Sequence, residues 1–343
     1  MRYDIAEPTL AWWLPQIEDR GESILINGTI RPPVWPPVEP PRLAADGLAV
    51  PGVDYLDIAE RGAITLRGML PVRRCFGDKD EIVLRLVGAH SGTFLRDWDH
   101  FPLSRPGAKS DIPLPPDRLT QRAIWLGPRT FDKWGYALKR KYDAAVARHQ
   151  AKPRAQWRLL DWGCGCGRMA KYLAGECDYT GIDIDAEAIA WCRANIPRGR
   201  FELQGLEART NFAAGAFDAV IGISIFTHLR EREQLAWLKE LARITAPGGV
   251  IAVSVCGATS LFNAGSPAPI VEALAARGFC DTGPETMLKG VTADDEYYRN
   301  VYHARGYIED VWGRDFEILE YIAGFVANMQ DMVFLRPRSQ MLG

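Results

Sequence analysis

The stretch LLDWGCGCGRMAKYLA, residues 159–174, decides how the second half of this chain folds. An apolar run ends at Asp161 and leads into Gly163, Gly165 and Gly167, with cysteines between them. Glycine tolerates positive φ and lets a backbone approach a ligand closely, and a helix that follows such a turn directs its N-terminus at that ligand. The stretch therefore predicts a strand, a nucleotide-binding turn and a helix.

The two cysteines of this stretch, Cys164 and Cys166, raise the alternative of a metal or redox site. Structural zinc sites take four ligands, mostly as two separated pairs, and thioredoxin-like redox sites use C-x-x-C. The chain has a single C-x-C here and no second pair at a usable spacing. We therefore predict no metal site and interpret the cysteines as small spacers.

Apolar and amphipathic segments alternate after this turn. Strands are predicted at 157–162, 179–183, 200–204, 216–226 and 250–256, and helices at 186–195 and 230–245. Strands that are apolar on both faces and alternate with helices are typical of a parallel sheet covered by helices. Two further predicted strands, 316–325 and 330–337, follow each other too closely to be parallel, so we expect an antiparallel pair.

The first half of the chain has a different pattern. Six of the ten residues in PPVWPPVEPP, residues 32–41, are proline, which predicts an extended connector. Short apolar runs between turn residues predict a small β-rich domain over 1–125. Apolar residues at helical spacing in 131–149 predict an amphipathic helix within a linking segment, 126–150, that leads to a second domain at 151–343.

Composition narrows the class of protein. The chain has 343 residues, 47% of them hydrophobic, and a net charge of −2, which gives no electrostatic footprint for nucleic acid. It shows no signal-peptide core and no apolar run of transmembrane length. Seven scattered cysteines then predict reduced thiols rather than a disulfide framework. We expect a cytoplasmic protein that binds neither nucleic acid nor membranes.

An acidic residue follows the glycines at a meaningful distance. Asp183 lies twenty residues after Gly163, at the end of the second predicted strand. A carboxylate there can accept hydrogen bonds from both ribose hydroxyls of an adenosine ligand. The D-x-G-x-G-x-G spacing differs from the G-x-G-x-x-G of dinucleotide sites, so an NAD-dependent oxidoreductase is the disfavoured alternative.

Residues from about 157 to 336 resemble class I S-adenosylmethionine-dependent methyltransferases. The resemblance rests on four strings in matching order and spacing, LDWGCGCGR, GIDIDAEAIAWC, FDAVIGISIFTHL and ITAPGG. It implies an α/β fold with a Rossmann-like seven-stranded sheet whose last strand is antiparallel, here beside a smaller β-rich N-terminal domain. It also implies S-adenosyl-L-methionine as the cofactor and methyl transfer as the reaction.

The resemblance implies a set of cofactor-binding residues. Those expected around the methionine part of the cofactor are Asp161, Gly163, Cys164, Gly165, Gly167 and, at the end of the fourth strand, Ser224. Those expected around the nucleoside are Asp183 at the ribose, Ile184 on the adenine, and Leu206 and Glu207 at the adenine edge.

Two histidines are candidate catalytic bases, because a hydroxyl acceptor needs a base to take its proton. His228 follows the fourth predicted strand. Thr227 is predicted to cap the next helix, whose positive end would keep the imidazole neutral. His303 ends a long insertion, 257–303, after the fifth strand. The alternative for His228 is a purely structural role at the helix start.

The insertion 257–303 is predicted to form a substrate lid, since long connections in compact domains are commonly functional. Its candidate substrate-contacting residues are Asp295, Glu296, Tyr297 and Tyr298. Two aromatic residues of the linking helix, Trp134 and Tyr136, are candidates for covering the cofactor. A solvated acidic loop and ordinary helix packing are the respective alternatives.

These patterns together predict a methyltransferase that acts on a small molecule or sugar, at oxygen. The histidines favour oxygen, as does the sequence ISIF where amino-group methyltransferases have NPPY or DPPY. The β-rich domain suggests an extended acceptor such as a glycan. The alternatives are an N- or carboxyl-methyltransferase and a non-catalytic cofactor-binding scaffold or partner subunit. The acceptor and the oligomeric state stay open, with a homodimer among the alternatives.

Overall fold

The structure is a computed structural model that describes residues 2–5, 10–32, 34–95, 100–106, 111–124, 127–291 and 294–338. The predicted domain boundary at residues 125 and 126 lies outside the described residues. Within these ranges, no helix has both the length and the apolar character that a membrane crossing requires.

Eight strands in the first third of the chain form two antiparallel four-stranded sheets. They are β1 (Ala11–Asp19), β2 (Ser23–Arg31), β3 (Pro41–Ala45), β4 (Leu48–Ala49), β5 (Val53–Ile58), β6 (Ala63–Pro71), β7 (Glu81–Gly88) and β8 (His100–Ser104). The strand orders are β1-β2-β6-β5 and β4-β3-β7-β8, and a short helix, α1 (Val72–Phe76), joins β6 to β7.

The two sheets pack face to face because their strands alternate. In β2, every second residue is buried, and Ile24, Ile26 and Ile30 are fully enclosed. These side chains share one apolar cluster with Leu84 and Leu86 of β7 in the other sheet. The proline-rich connector lies between β2 and β3 and therefore carries the chain from one sheet to the other.

Seven strands form the sheet of the second domain. They are β9 (Arg158–Trp162), β10 (Asp178–Asp183), β11 (Arg200–Leu203), β12 (Phe217–Gly222), β13 (Thr245–Val255), β16 (Phe316–Val326) and β17 (Gln330–Pro337). The strand order is β11-β10-β9-β12-β13-β17-β16. The first five are parallel, and β17 pairs antiparallel with both β13 and β16. The predicted seven-stranded α/β sheet is confirmed.

Helices and a hairpin complete this domain. The helices are α4 (Ala170–Leu173), α5 (Ala186–Asn195), α6 (Glu231–Ile244), α7 (Ala258–Asn263), α8 (Ala268–Arg277) and α9 (Arg305–Val311). The hairpin strands are β14 (Phe279–Pro284) and β15 (Arg299–His303), and they pair antiparallel. The hairpin and the two helices before it occupy the predicted insertion.

The parallel strands end at one level, which creates the edge where a site can form. Trp162 of β9 pairs with Ile182 of β10 on one side and with Gly222 of β12 on the other. In open sheets of this kind, ligands bind outside the carboxyl ends of the strands where the strand order reverses. Here the order reverses beside β9, between β10 and β12.

Two helices, α2 (Asp117–Ile124) and α3 (Pro128–Val146), connect the two domains. Helix α3 belongs to both apolar cores: Trp134 and Ala137 pack with the sandwich, whereas Tyr142 and Val146 pack with the seven-stranded sheet.

The first described residues lie on the second domain, contrary to the predicted assignment of residues 1–125 to one β-rich unit. The backbone N–H of Tyr3 donates to the carbonyl of Ala275 at 3.1 Å, and the Tyr3 ring packs edge-on against Tyr307. Residues 2–5 therefore lie against the second domain, although they precede the sandwich in the sequence.

Candidate active site

The glycine turn lies at the carboxyl end of β9. Gly163, Gly165 and Gly167 have φ values of +79°, +53° and +82°. The backbone N–H groups of Gly163 and Cys164 both donate to the carbonyl of Ile182, at 2.8 and 3.1 Å. The turn therefore folds over the end of the neighbouring strand β10, and its glycines have the positive φ that the sequence predicted.

At two of these positions a side chain would also meet a neighbouring isoleucine, which would have to shift. A Cβ on Gly163 would lie 2.1 Å from Cδ1 of Ile225, and one on Gly167 would lie 2.5 Å from Cδ1 of Ile196. A Cβ on Gly165 would meet nothing within 4 Å. Gly165 is therefore needed for its positive φ alone.

The cysteines of the turn are buried. Their thiols lie next to that of Cys192, and both Cys164 and Cys192 direct their Sγ atoms at the carbonyl of Gly165. Burial raises the pKa of the Cys166 thiol well above its usual range, so it is protonated at neutral pH. Among the described residues, no three His, Cys, Asp or Glu side chains cluster as metal ligands would.

Two carboxylates flank the turn, Asp161 buried and Asp183 partly exposed. Asp161 accepts a hydrogen bond from the hydroxyl of Tyr179 at 2.6 Å. Asp183 accepts from the backbone N–H groups of Gly165 at 2.7 Å and Asp185 at 2.8 Å. Burial is the main cause that raises the pKa of each carboxyl to about 6.

A cavity of about 1000 Å³, including its open mouth, lies over this edge of the sheet. Nine of the residues predicted from the sequence line it: Gly163, Cys164, Gly165, Asp183, Ile184, Ser224, His228, Tyr297 and Tyr298. Nine others do not: Asp161, Gly167, Leu206, Glu207, Trp134, Tyr136, Asp295, Glu296 and His303.

Helix α2 covers one side of the cavity. Leu119, Arg122 and Ala123 line it, and the Arg122 guanidinium pairs with Asp185 at 2.8 Å and with Glu187 at 3.0 Å. This cover was not predicted, although the pair of cations in this short helix, four residues apart and facing the acidic start of α5, is a signal that could have indicated it.

The two aromatic residues proposed to cover the site face elsewhere. Trp134 packs edge-on against Phe101 of the sandwich, and the Tyr136 hydroxyl donates to Glu81 of β7. The sandwich core takes up this apolar face of α3. Phe131, one turn before, is the residue of α3 that lines the cavity.

His228 lies in an irregular segment between β12 and α6 and reaches the cavity. Its Nδ1 lies 2.6 Å from the carbonyl oxygen of Arg299. A carbonyl only accepts, so Nδ1 carries the hydrogen and the neutral ring keeps its lone pair on Nε2. No described residue makes a hydrogen bond to Nε2, and the ring stacks on Tyr298 with centroids 3.9 Å apart.

The neutrality of His228 has a different cause from the predicted one. Helix α6 begins at Glu231, with Arg230 at the N-cap position and no side-chain cap, so Thr227 does not cap it. Burial instead lowers the pKa of His228 to about 4, against a smaller opposing effect of the Arg299 carbonyl.

His303 does not reach the cavity. It is 1% exposed, lies among Phe279, Tyr307 and Trp312, and donates from Nε2 to Oε1 of Gln234 at 2.9 Å. Burial lowers its pKa to about 3. The expectation that His303 is a candidate base is corrected: apolar packing, which single-residue patterns do not reveal, encloses it.

The insertion contributes aromatic rather than acidic groups to the cavity. Tyr297 and Tyr298 line it, and the Tyr297 hydroxyl donates to the carbonyl of Leu206 at 2.8 Å. Asp295 and Glu296 are exposed and do not line the cavity. Two of the four candidate substrate-contacting residues therefore line the cavity, and the lid role of the insertion stays a prediction.

The predicted adenine-edge residues are displaced from the cavity. Leu206 is half-buried and Glu207 exposed, and neither lines the cavity, whereas Gln204 does. The Gln204 amide donates to the carbonyl of Arg209 at 2.9 Å, which folds this segment back on itself. The residues after β11 have no regular secondary structure, so the sequence does not show which of them face the cavity.

Ser224 ends the β12 segment with a φ of +60°, which is uncommon outside glycine. Its N–H donates to Oγ of Ser254 at 2.7 Å, and its hydroxyl donates to Oε1 of Gln330 at 3.0 Å. These two bonds from neighbouring strands hold the residue at the cavity wall.

Arg168 is a residue that sequence reasoning missed. It lines the cavity, and no described residue accepts a hydrogen bond or forms an ion pair with its guanidinium. Burial lowers its pKa, and the nearby charge of Asp161 opposes that effect. Its backbone lies against Gly135 of α3, where a Cβ would lie 2.2 Å from the Arg168 carbonyl oxygen. A cavity-lining cation without a partner fits an anionic ligand group.

The sequence of this chain is similar to those of known methyltransferases. Residues 159–249 match a family described as a methyltransferase domain. The chain is 28% identical over 140 residues to the methyltransferase GfsG of Streptomyces halstedii, covering 38% of this chain and 48% of that protein. It is 38% identical over 97 residues to a fatty-acid O-methyltransferase of Mycolicibacterium smegmatis, covering 27% and 34%. The chain thus spans less than half the length of these curated relatives.

Among solved structures, an S-adenosylmethionine-dependent methyltransferase from Methanosarcina mazei aligns with 16% identity and a TM-score of 0.42. The alignment covers 56% of this chain and 96% of that one.

The raised pKa of Asp183 predicts a pH-dependent effect of Asp183→Asn on stability. The Asp183 carboxyl binds its proton more tightly in the folded protein than in the unfolded chain, because its pKa is higher when folded. Its stability relative to the neutral variant therefore rises as the pH falls through about 6 toward 4 and is lost as the pH rises. We expect a change of about 2 kcal/mol between pH 8 and pH 4.5 in the difference between the two unfolding free energies. Urea unfolding at both pH values measures it, and a pH-independent difference would contradict the buried-carboxylate assignment.

Proposed function

We propose that the chain, whose residues 159–249 match a methyltransferase domain, is a class I, S-adenosylmethionine-dependent methyltransferase that methylates a small, uncharged molecule at a hydroxyl oxygen. The observation that carries the proposal is His228, whose unprotonated Nε2 lies at the cavity wall. Among the alternatives, amine and carboxyl acceptors and a non-catalytic scaffold are outcomes of the tests below.

The residues around the cavity fit S-adenosylmethionine. The unpaired guanidinium of Arg168 matches its carboxylate, and Asp183 offers acceptor oxygens to its ribose hydroxyls. Gly163 leaves room that a side chain would fill. Ile184 would contact the adenine, and Gln204 lines the same cavity.

When bound, this cofactor supplies a methyl group on a positively charged sulfur, which leaves as a neutral thioether when an acceptor attacks. His228 would accept the hydroxyl proton at Nε2. A pKa of about 4 suffices, because the hydroxyl proton becomes strongly acidic once a third bond forms at the alcohol oxygen. The Nδ1–H bond to the Arg299 carbonyl then stabilises the imidazolium.

The walls near His228 indicate the character of the acceptor. Leu288, Tyr297 and Tyr298 from the insertion line the cavity together with Leu229 and Trp237, and none of these side chains carries a charge. Apolar walls exclude water and bind an apolar body, but they offer few partners for the many hydroxyls of a sugar. We therefore favour a small apolar hydroxy compound over a glycan.

The glycine turn yields a graded prediction for cofactor binding. Gly163→Val should abolish binding of S-adenosylhomocysteine, because its side chain would overlap Ile225 and its φ is positive. Gly165→Ala should weaken binding only by the strain of a positive φ, about 1 kcal/mol. Cys166→Ala, in the same turn, should bind almost normally. Calorimetry measures all three, with circular dichroism as the folding control; loss of binding in Cys166→Ala would reopen the metal and redox alternatives.

Arg168 can be tested with two ligands that differ only in the amino-acid tail. Arg168→Met should weaken S-adenosylhomocysteine binding by about 2 kcal/mol, the value of a charged hydrogen bond, and leave 5′-methylthioadenosine binding unchanged. Lys171→Met is the matched control, since Lys171 pairs with Asp132 and does not line the cavity. Equal losses for both ligands would show that Arg168 supports the fold rather than the carboxylate.

The reaction is tested by incubating the chain with methyl-labelled S-adenosylmethionine and separate panels of phenols, aliphatic alcohols, amines and carboxylic acids. We expect label in hydroxy compounds of apolar character. We also expect His228→Ala to lower kcat at least about 100-fold, with S-adenosylhomocysteine affinity unchanged.

The other outcomes of these experiments each favour a different function or reject the proposal. Labelled amines or esters would replace the oxygen proposal. Cofactor binding without transfer to any panel would favour the scaffold, and absence of cofactor binding would reject the proposal altogether.

A further inference from the structure

We propose that Gln234 and His303 are positioning residues that fix the ring orientation and the protonation state of His228. Neither lines the cavity, and each acts through hydrogen bonds within the protein. The inference rests on the proposed role of His228, and it explains why a buried histidine lies so close to the site without reaching it.

Gln234 holds the segment that carries His228. This segment has no regular secondary structure, so its position depends on bonds from neighbouring elements. Gln234, in the first turn of α6, is 1% exposed and donates to the carbonyls of Phe226 at 2.8 Å and Leu229 at 2.9 Å. These carbonyls lie on either side of Thr227 and His228. One amide group therefore clamps the segment at both ends.

The hydrogen bonds of the Gln234 amide determine its orientation. Two carbonyls face its nitrogen, so the nitrogen must lie on that side and Oε1 must face His303. Nε2 of His303 then donates to Oε1 at 2.9 Å. Nδ1 of His303 is buried and without a partner, as expected for a ring that stays neutral. His303 thus serves as a permanent donor.

Strand β15 binds the same segment through backbone hydrogen bonds. Its Arg299 N–H donates to the carbonyl of His228 at 3.0 Å, and its Val301 N–H donates to the carbonyl of Thr227 at 3.0 Å. Its Arg299 carbonyl also takes the Nδ1 hydrogen of His228, and its last residue is His303. One strand of the insertion therefore holds the histidine directly at the ring and indirectly through Gln234.

Burial, and not the surrounding charge, keeps the ring of His228 neutral. The titratable groups that face its ring are Tyr298, which stacks on it, and Glu285, whose charge favours the protonated form. Glu285 is itself held by a hydrogen bond from Asn300. Loosening the segment would admit water to the ring, and the pKa of His228 would move toward the ordinary value of about 6.5.

The experiment observes His228 without needing the acceptor. Full-length protein labelled with ¹⁵N in its histidine rings is titrated by NMR, and His228→Gln identifies the His228 signals. Wild type should show a single Nδ1–H tautomer that does not titrate near neutral pH. Gln234→Met and His303→Phe should raise the pKa of His228 by more than one unit and mix the tautomers.

A conservative variant separates positioning from packing. His303→Gln places an amide N–H near the original Nε2 and should restore the wild-type titration, whereas His303→Asn is too short to reach Gln234 and should not. If His303→Phe does not fold, the Gln and Asn variants alone decide the question. An unchanged His228 titration in folded Gln234→Met and His303→Asn would overturn the inference.

Binding of S-adenosylhomocysteine is measured in parallel. It should be the same in the Gln234 and His303 variants as in wild type, because neither of these two residues lines the cavity. Failure of wild type to bind it would reject the proposed function while leaving the NMR result to be judged by itself.

Discussion

The carbonyl oxygen of Ile182 is the anchor on which the site depends. It receives the N–H groups of both Gly163 and Cys164, so the turn after β9 is bound to the end of β10 rather than left to solvent. This bond brings Gly165 within hydrogen-bond reach of Asp183, since their strands end at the same level. The sheet register thus determines the geometry of the turn, and the turn determines which groups the cavity exposes.

The sequence predicted those parts of the structure that are local. Alternating apolar segments indicated the parallel sheet, and α5 was predicted over the residues where it occurs, because strands and helices leave periodic patterns. The glycines and Asp183 were found because positive φ and a ribose-binding carboxylate require particular residue types. The APGG turn, by contrast, lies within β13, where the pairing with β12 shifts register between Thr245 and Val250.

The errors concern which side chains face the cavity, and that depends on packing between distant segments. Trp134 and His303 have the residue types of functional groups, yet apolar neighbours that are remote in sequence enclose them. Arg168 was overlooked because its significance is the lack of a partner, which only three-dimensional structure reveals. Likewise, burial rather than the helix end keeps His228 neutral, and burial cannot be deduced from a capping pattern.

Helix α3 has a consequence for how such a protein can change in evolution. Its opposite faces complete two separate cores, with Trp134 on one side and Tyr142 on the other. The sandwich and the sheet domain therefore cannot be exchanged between proteins as independent modules, because either would leave half a helix surface uncovered. Substitutions in one core that shift the helix would be transmitted to the other, so the two domains are expected to have diversified together.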